Sequence, residues 1–158
     1  MLKAYGHTRV HVLDGGFTKW KTEGKAVETD SVENWDKEFD YDLDDSHIVG
    51  YEEVTSIIEH GSMQLIENRP PPAVEKTGTY PNAVQIPGPA FLNEDGTTKS
   101  AEDITAMFES KGVDINKPMA FSCGGGIMAT IALACANKAK IPAEMFIYDG
   151  SWSEYSAK

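Results

Sequence analysis

The chain reads as an α/β domain whose sheet is mostly parallel and covered by helices on both faces. Two observations predict this. From His47 onward short apolar runs alternate with helical patterns, and strands separated by helices run parallel with both faces covered. The 158 residues, 41% apolar and 25% charged, suffice for one sizeable core and not for two domains of ordinary size.

The elements follow in chain order. Val54, Ile57 and Ile58 recur at helical spacing and predict a helix from about Tyr51 to His60, while Gln64 to Ile66 and Ala83 to Ile86 read as short strands. Ser100 with Asp103 three positions on looks like an N-cap. It opens a helix that carries Ile104, Met107 and Phe108 on one face and stops at Gly112. The clearest unit is last: strand Met119 to Ser122, a glycine loop, a helix from about Ile127 to Lys138, and strand Met145 to Tyr148.

The chain also repeats itself. Val10-His-Val-Leu-Asp-Gly-Gly-Phe-Thr-Lys-Trp20 lines up with Met145-Phe-Ile-Tyr-Asp-Gly-Ser-Trp-Ser-Glu-Tyr155. Each has four strand-like residues, Asp-Gly, and a segment with two aromatics, which points to duplication. Residues 1–27 are then expected to be the last strand and helix of a preceding unit. Residues 28–46 hold nine acids against one Lys, and their self-repulsion predicts a linker. Residues 47–158 form the complete unit.

Charge excludes several functions. The formal net charge is −11 and the only arginines are Arg9 and Arg69, so no basic stripe exists to bind nucleic acid or an anionic membrane. No stretch approaches the roughly 20 apolar residues that span a bilayer, and no targeting segment is visible at the start. A cytoplasmic or mitochondrial location is expected. Two cysteines, Cys123 and Cys135, are too few for a disulfide scaffold, and free thiols in a reducing compartment are expected. The four histidines are scattered without metal-ligand spacing, and no metal or other cofactor is expected.

Chemistry concentrates in Cys123-Gly124-Gly125-Gly126-Ile127-Met128. The cysteine ends a parallel strand directly before a helix, the edge where open α/β sheets bind ligands. Three glycines allow successive N–H groups to converge. With the positive helix end they are expected to stabilise a thiolate and bring Cys123 below its ordinary pKa of about 8.5. Alone, this loop is equally a buried cysteine in a glycine turn. Cys135, within Ile131-Ala-Leu-Ala-Cys-Ala136, reads as core. Cysteine phosphatases share the layout but carry an Arg where Ala129 stands here, so phosphoryl oxygens would meet no cation.

Several motifs in order resemble tandem rhodanese sulfurtransferases. Phe91 to Ser100, Met107 to Asp114, Lys117-Pro118, Cys123 to Ile127 and Tyr148-Asp-Gly-Ser-Trp-Ser-Glu154 look like their C-terminal domain, and Val10 to Trp20 looks like the end of their N-terminal domain. The resemblance implies a rhodanese-like domain with a five-stranded sheet. In it Cys123 takes a sulfane sulfur from a small anionic donor, 3-mercaptopyruvate ahead of thiosulfate, and passes it to a thiol or cyanide. It also implies substrate binding by Gly124, Gly125, Gly126, Ile127, Met128 and Arg69, and a first rhodanese domain as partner.

The departures are specific. Gly125 stands where the mercaptopyruvate group has a serine, Met128 replaces a threonine, and Glu67 takes the Asp position of Asp-x-Arg. Pro70 to Thr77, read as a Pro-rich loop, replaces a longer arginine-bearing insert. Arg69 either contacts substrate or pairs with Glu67 or another acid. These departures support an alternative, a rhodanese-like binding or regulatory domain of weak activity. Without the first domain Cys123 is expected to be more open to water and the chain alone to be weakly active.

Overall fold

The computed structural model describes residues 2–31, 38 and 40–158. Five parallel strands form one sheet in the order β1-β5-β4-β2-β3. They are β1 (Ile48–Val49), β2 (Gln64–Glu67), β3 (Val84–Gln85), β4 (Met119–Ser122) and β5 (Met145–Tyr148). Helix α1 (Gly16–Thr22) precedes the sheet; α2 (Tyr51–His60), α3 (Pro71–Thr77), α4 (Ala101–Ser110), α5 (Ile127–Lys138) and α6 (Ser151–Tyr155) connect or follow its strands, with a 3₁₀ turn at Gly88–Phe91.

Strand β4 is central, and all four of its residues are buried, as expected of a strand covered on both faces. Alternation along it sorts the core. Met119 and Phe121 join Ile66, Ile104, Phe108, Ala129 and Ala132 on one face, and Ala120 joins Val54, Ile57, Leu65, Tyr80 and Tyr148 on the other. The buried face of α5 is made of Ala129, Ala132, Cys135 and Ala136. Small side chains bring that helix close to the sheet.

Local chemistry sets the helix ends. Gly50 N–H donates to Glu53 Oε2 at 2.7 Å at the start of α2, and Gly61 ends it in the left-handed conformation. At the start of α4, Ser100 Oγ accepts the Asp103 N–H at 3.1 Å and donates to its carboxylate at 2.8 Å, the expected cap.

Two elements differ from the sequence reading. Residues 71–77 are a helix, because proline is tolerated where a helix would leave N–H groups unpaired: Pro70 is the N-cap and the next two prolines occupy the first turn. Residues 10–13 form no strand, and Val12 and Leu13 are exposed; a strand needs a ladder partner, and none of the described strands pairs with this stretch. Part of the acidic stretch, residues 32–37 and 39, lies outside the described residues.

The segment before the sheet is nonetheless tied to the domain. Asp14 accepts the Thr98 N–H and Oγ–H at 2.9 and 2.8 Å and pairs with Lys138 at 2.6 Å. Lys19 pairs with Asp95 at 3.0 Å. Lys138, then the Thr98 amide, hold the Asp14 carboxyl below its ordinary pKa.

Candidate active site

Cys123 follows β4 directly and sits at the C-terminal edge of the central strand, separated from α5 by Gly124, Gly125 and Gly126. Both cysteines are free and buried. At 2% exposure Cys123 packs among Ile66, Ile86 and Phe121. It is therefore not open to water, contrary to the expectation for the chain without a first domain: the loop and the residues after β5 fold over it.

Ser151 does much of this. It is fully buried and, although not glycine, holds a φ of 52°, a conformation that costs an ordinary residue about 1–3 kcal/mol. From there its Oγ accepts the N–H groups of Cys123 at 3.2 Å and Gly126 at 3.1 Å and donates to the Tyr148 carbonyl at 2.8 Å. Trp152 and Ser153 N–H then donate to the carbonyls of Cys123 and Gly124 at 2.9 and 3.0 Å. The start of α6 is bolted to both ends of the loop.

The three glycines are not equivalent. Gly126 has φ 83°, and a Cβ there would lie 3.0 Å from Asp149 Oδ1, so this position requires glycine. A Cβ at Gly124 would meet only Arg69 Cδ at 3.9 Å, and one at Gly125 would meet nothing. Among the described residues, the amides of Gly124, Gly125, Ile127 and Met128 have no hydrogen-bond partner in the chain, while that of Gly126 is taken by Ser151. Four donors and the positive end of a three-turn helix remain for an anionic sulfur or substrate. Ile127 is 78% exposed; Met128 is half-buried and lies so close to Gly88 that a Cβ on that glycine would approach it to 3.1 Å.

Arg69 lies beside the loop but faces inward. Its Nε and Nη2 donate to Glu67 Oε2 at 3.0 and 2.6 Å, Nη1 to Thr77 Oγ1 at 2.8 Å, and Nη2 also to the Gly78 carbonyl at 2.8 Å. The guanidinium stacks 4.4 Å above the Trp152 ring. The ion pair with Glu67 that the sequence offered beside substrate contact is the arrangement formed, and it braces α3 and α6 under the loop. Glu67 is fully buried. Nearby, the hydroxyls of Tyr80 and Ser122 are 2.6 Å apart, and burial pushes the Tyr80 phenol above its ordinary pKa.

Cys135 is separate from all this. Its thiol donates to Thr98 Oγ1 at 3.8 Å, and burial raises its pKa, consistent with packing. The motif Tyr148-Asp-Gly-Ser-Trp contains Ser151 but does not by itself give that serine a role. The signal available was a serine directly after Asp-Gly, at a strand-to-helix turn.

The comparisons agree with this architecture. The model for the rhodanese-like domain matches residues 50–158, and the chain belongs to that family. Thiosulfate sulfurtransferase of Gallus gallus is 35% identical over 164 residues, covering 98% of this chain and 56% of that protein. The 3-mercaptopyruvate sulfurtransferase of Homo sapiens is 32% identical over 169 residues, covering 98% and 55%. The chain thus spans little more than half the length of these curated relatives. Among solved structures, the 3-mercaptopyruvate sulfotransferase SseA of Escherichia coli superposes with a TM-score of 0.83 at 28% identity, covering 98% of this chain and 60% of that one. Wild-type EanB, at 24% identity and a TM-score of 0.84, covers 98% and 40% and shares the fold.

Proposed function

We propose that the chain carries the catalytic half of a sulfurtransferase, with Cys123 as nucleophile. The thiolate attacks the transferable sulfur of a donor, and the donor's bond to that sulfur breaks. Sulfite leaves thiosulfate with the electron pair of the S–S bond; 3-mercaptopyruvate loses the enolate of pyruvate, which takes the electron pair of the C–S bond and then a proton at carbon. An acceptor, cyanide or a thiolate, then attacks the outer sulfur of the Cys123 persulfide, and Cys123 departs as thiolate.

One observation carries this reading: Cys123 stands at the C-terminal edge of β4 beside four unpartnered amides and the N-terminus of α5. Such donors stabilise the charge that develops on sulfur in both half-reactions. Mercaptopyruvate is ranked ahead of thiosulfate because the side chains from Gly124 to Met128 carry no charge and Arg69 is neutralised by Glu67, which disfavours a dianion more than a monoanion. Residues 1–27 are assigned to the tail of a first rhodanese unit, supported by the internal repeat and by the exposed Val12, Leu13 and Phe17.

The same lack of a free cation favours the second reading, a rhodanese-like domain that binds without transferring sulfur. Thiocyanate formation from cyanide with each donor separates the two. The sulfurtransferase reading expects thiocyanate from the unmodified chain and from Cys135→Ala, and none from Cys123→Ser. No thiocyanate with either donor overturns it.

A further inference from the structure

Charge around the loop is one-sided. All five strands run parallel and end at one edge of the sheet, where the order β1-β5-β4-β2-β3 flanks β4 with β5 and β2. After β3, residues 77–93 carry no charge, and after β4, residues 118–137 carry none. After β2, Arg69 is cancelled by buried Glu67 at 2.6 Å, and the adjacent Glu75 and Lys76 of α3 sum to zero. The acids after β1, Glu52 and Glu53, lie beyond β5 on the far side. After β5, Glu154 pairs with Lys158 at 2.9 Å, which leaves Asp149.

Asp149 directly follows β5, as Cys123 directly follows β4. It is exposed, and among the described residues it takes part in no ion pair or side-chain hydrogen bond. Its Oδ1 lies 3.0 Å from where a Cβ on Gly126 would stand, so at most about 4.5 Å from the Gly126 Cα. The next residue, Ile127, offers one of the four free amides. A sulfur held by that N–H at about 3.4 Å is then within about 10 Å of the carboxylate, whatever its direction.

We propose that Asp149 is a specificity-determining residue that selects the sulfur acceptor: its carboxylate favours a thiol with a positive charge close to its sulfur, an aminothiol, over an anionic thiol of similar size. The inference rests on the sulfur-transfer reading. The acceptor thiolate attacks the outer sulfur of the Cys123 persulfide; the new S–S bond forms as the old one breaks, and the electron pair leaves with the Cys123 sulfur. An ammonium two carbons from the attacking sulfur enters a negative field as attack proceeds, whereas a carboxylate in that place is repelled. The same charge opposes dianionic thiosulfate more than monoanionic 3-mercaptopyruvate.

The test uses the full chain with Cys135→Ala, loaded at Cys123 with either donor and then freed of it. Single-turnover loss of the extra sulfur, read by mass, gives rate constants for 2-aminoethanethiol and for mercaptoacetate. Comparing their ratio between proteins cancels thiolate fraction and intrinsic nucleophilicity, and a partly misfolded variant slows both thiols alike. At low ionic strength the ratio is expected to be about fourfold higher than in Asp149→Asn, about twofold from each charge. At 1 M salt, where the screening length is about 3 Å, it should fall to that of the variant. Glu59→Gln, near the opposite end of α2, makes the same change in net charge and should leave the ratio unchanged. An Asp149→Asn ratio equal to the unsubstituted one, or an equal drop in Glu59→Gln, overturns the proposal and leaves sulfur transfer standing. A Cys123 that takes up no sulfur from either donor refutes the sulfur-transfer reading and this proposal with it.

Discussion

Ser151 Oγ accepts the backbone N–H of Cys123 at 3.2 Å, from a residue held at φ 52°. A left-handed serine thus fixes the residue that carries the proposed nucleophile. The same oxygen accepts from Gly126 at 3.1 Å, so both ends of the loop hang on one hydroxyl. Ser151→Ala leaves two buried amides unpaired, and a loss of roughly 1–3 kcal/mol for each is expected. Ser151→Gly relieves the φ and should be the milder change. Denaturant unfolding of the two variants measures this; equal stability of Ser151→Ala and the parent would show that the hydroxyl does not hold the loop.

Glu67 and Arg69 form a buried pair at 2.6 Å. Glu67→Ala strands a guanidinium that is 6% exposed, and a loss of about 3–5 kcal/mol is expected. Glu67→Asp keeps the charge and should cost much less. Thermal unfolding of both variants provides the check, and a near-neutral Glu67→Ala would show that Arg69 finds another partner or water.

The loop glycines predict a sharp contrast. Gly126→Ala combines φ 83° with a Cβ 3.0 Å from Asp149 Oδ1 and is expected to cost about 1–3 kcal/mol. Gly125→Ser enters open space and should stay within about 0.5 kcal/mol of the parent. It also adds a hydroxyl donor to the loop, so turnover with 3-mercaptopyruvate is expected to rise. Steady-state kinetics on Gly125→Ser test that half.

Asp14 links the leading segment to α5 in a pH-dependent way. Lys138 and Thr98 hold its carboxyl below the ordinary value. A depressed carboxylate stabilises the folded contact above the ordinary carboxylate pKa, and that stabilisation disappears as pH falls through the folded value. Protection of residues 10–25 from hydrogen exchange, corrected for intrinsic rate, should therefore drop on acidification below the ordinary carboxylate range. Asp14→Asn should lower it already at neutral pH. Unchanged protection in Asp14→Asn would show that other contacts hold the segment.

Much of this was legible in the sequence because period and punctuation agreed there. β4, α5 and β5 fall at the residues the pattern marked, since each is an apolar run with glycine, lysine or proline within three residues of its ends. α3 was hidden because three prolines usually mean loop, and only their placement at the helix start makes them compatible with one. Residues 10–13 have strand composition without a partner strand, and pairing is a tertiary property. At the site, the proposed nucleophile and the loop were visible as residue types. The part played by the left-handed Ser151 was not, because it arises from chain segments distant in sequence meeting at one edge of the sheet.

The central claim is that Cys123 carries sulfur, and the mass of the peptide containing it tests this most directly. After incubation of the full chain with 3-mercaptopyruvate or thiosulfate and removal of the donor, the account predicts a Cys123 peptide heavier by one sulfur atom that reverts on addition of cyanide, with the Cys135 peptide unchanged. A Cys123 peptide of unaltered mass after both donors would contradict it.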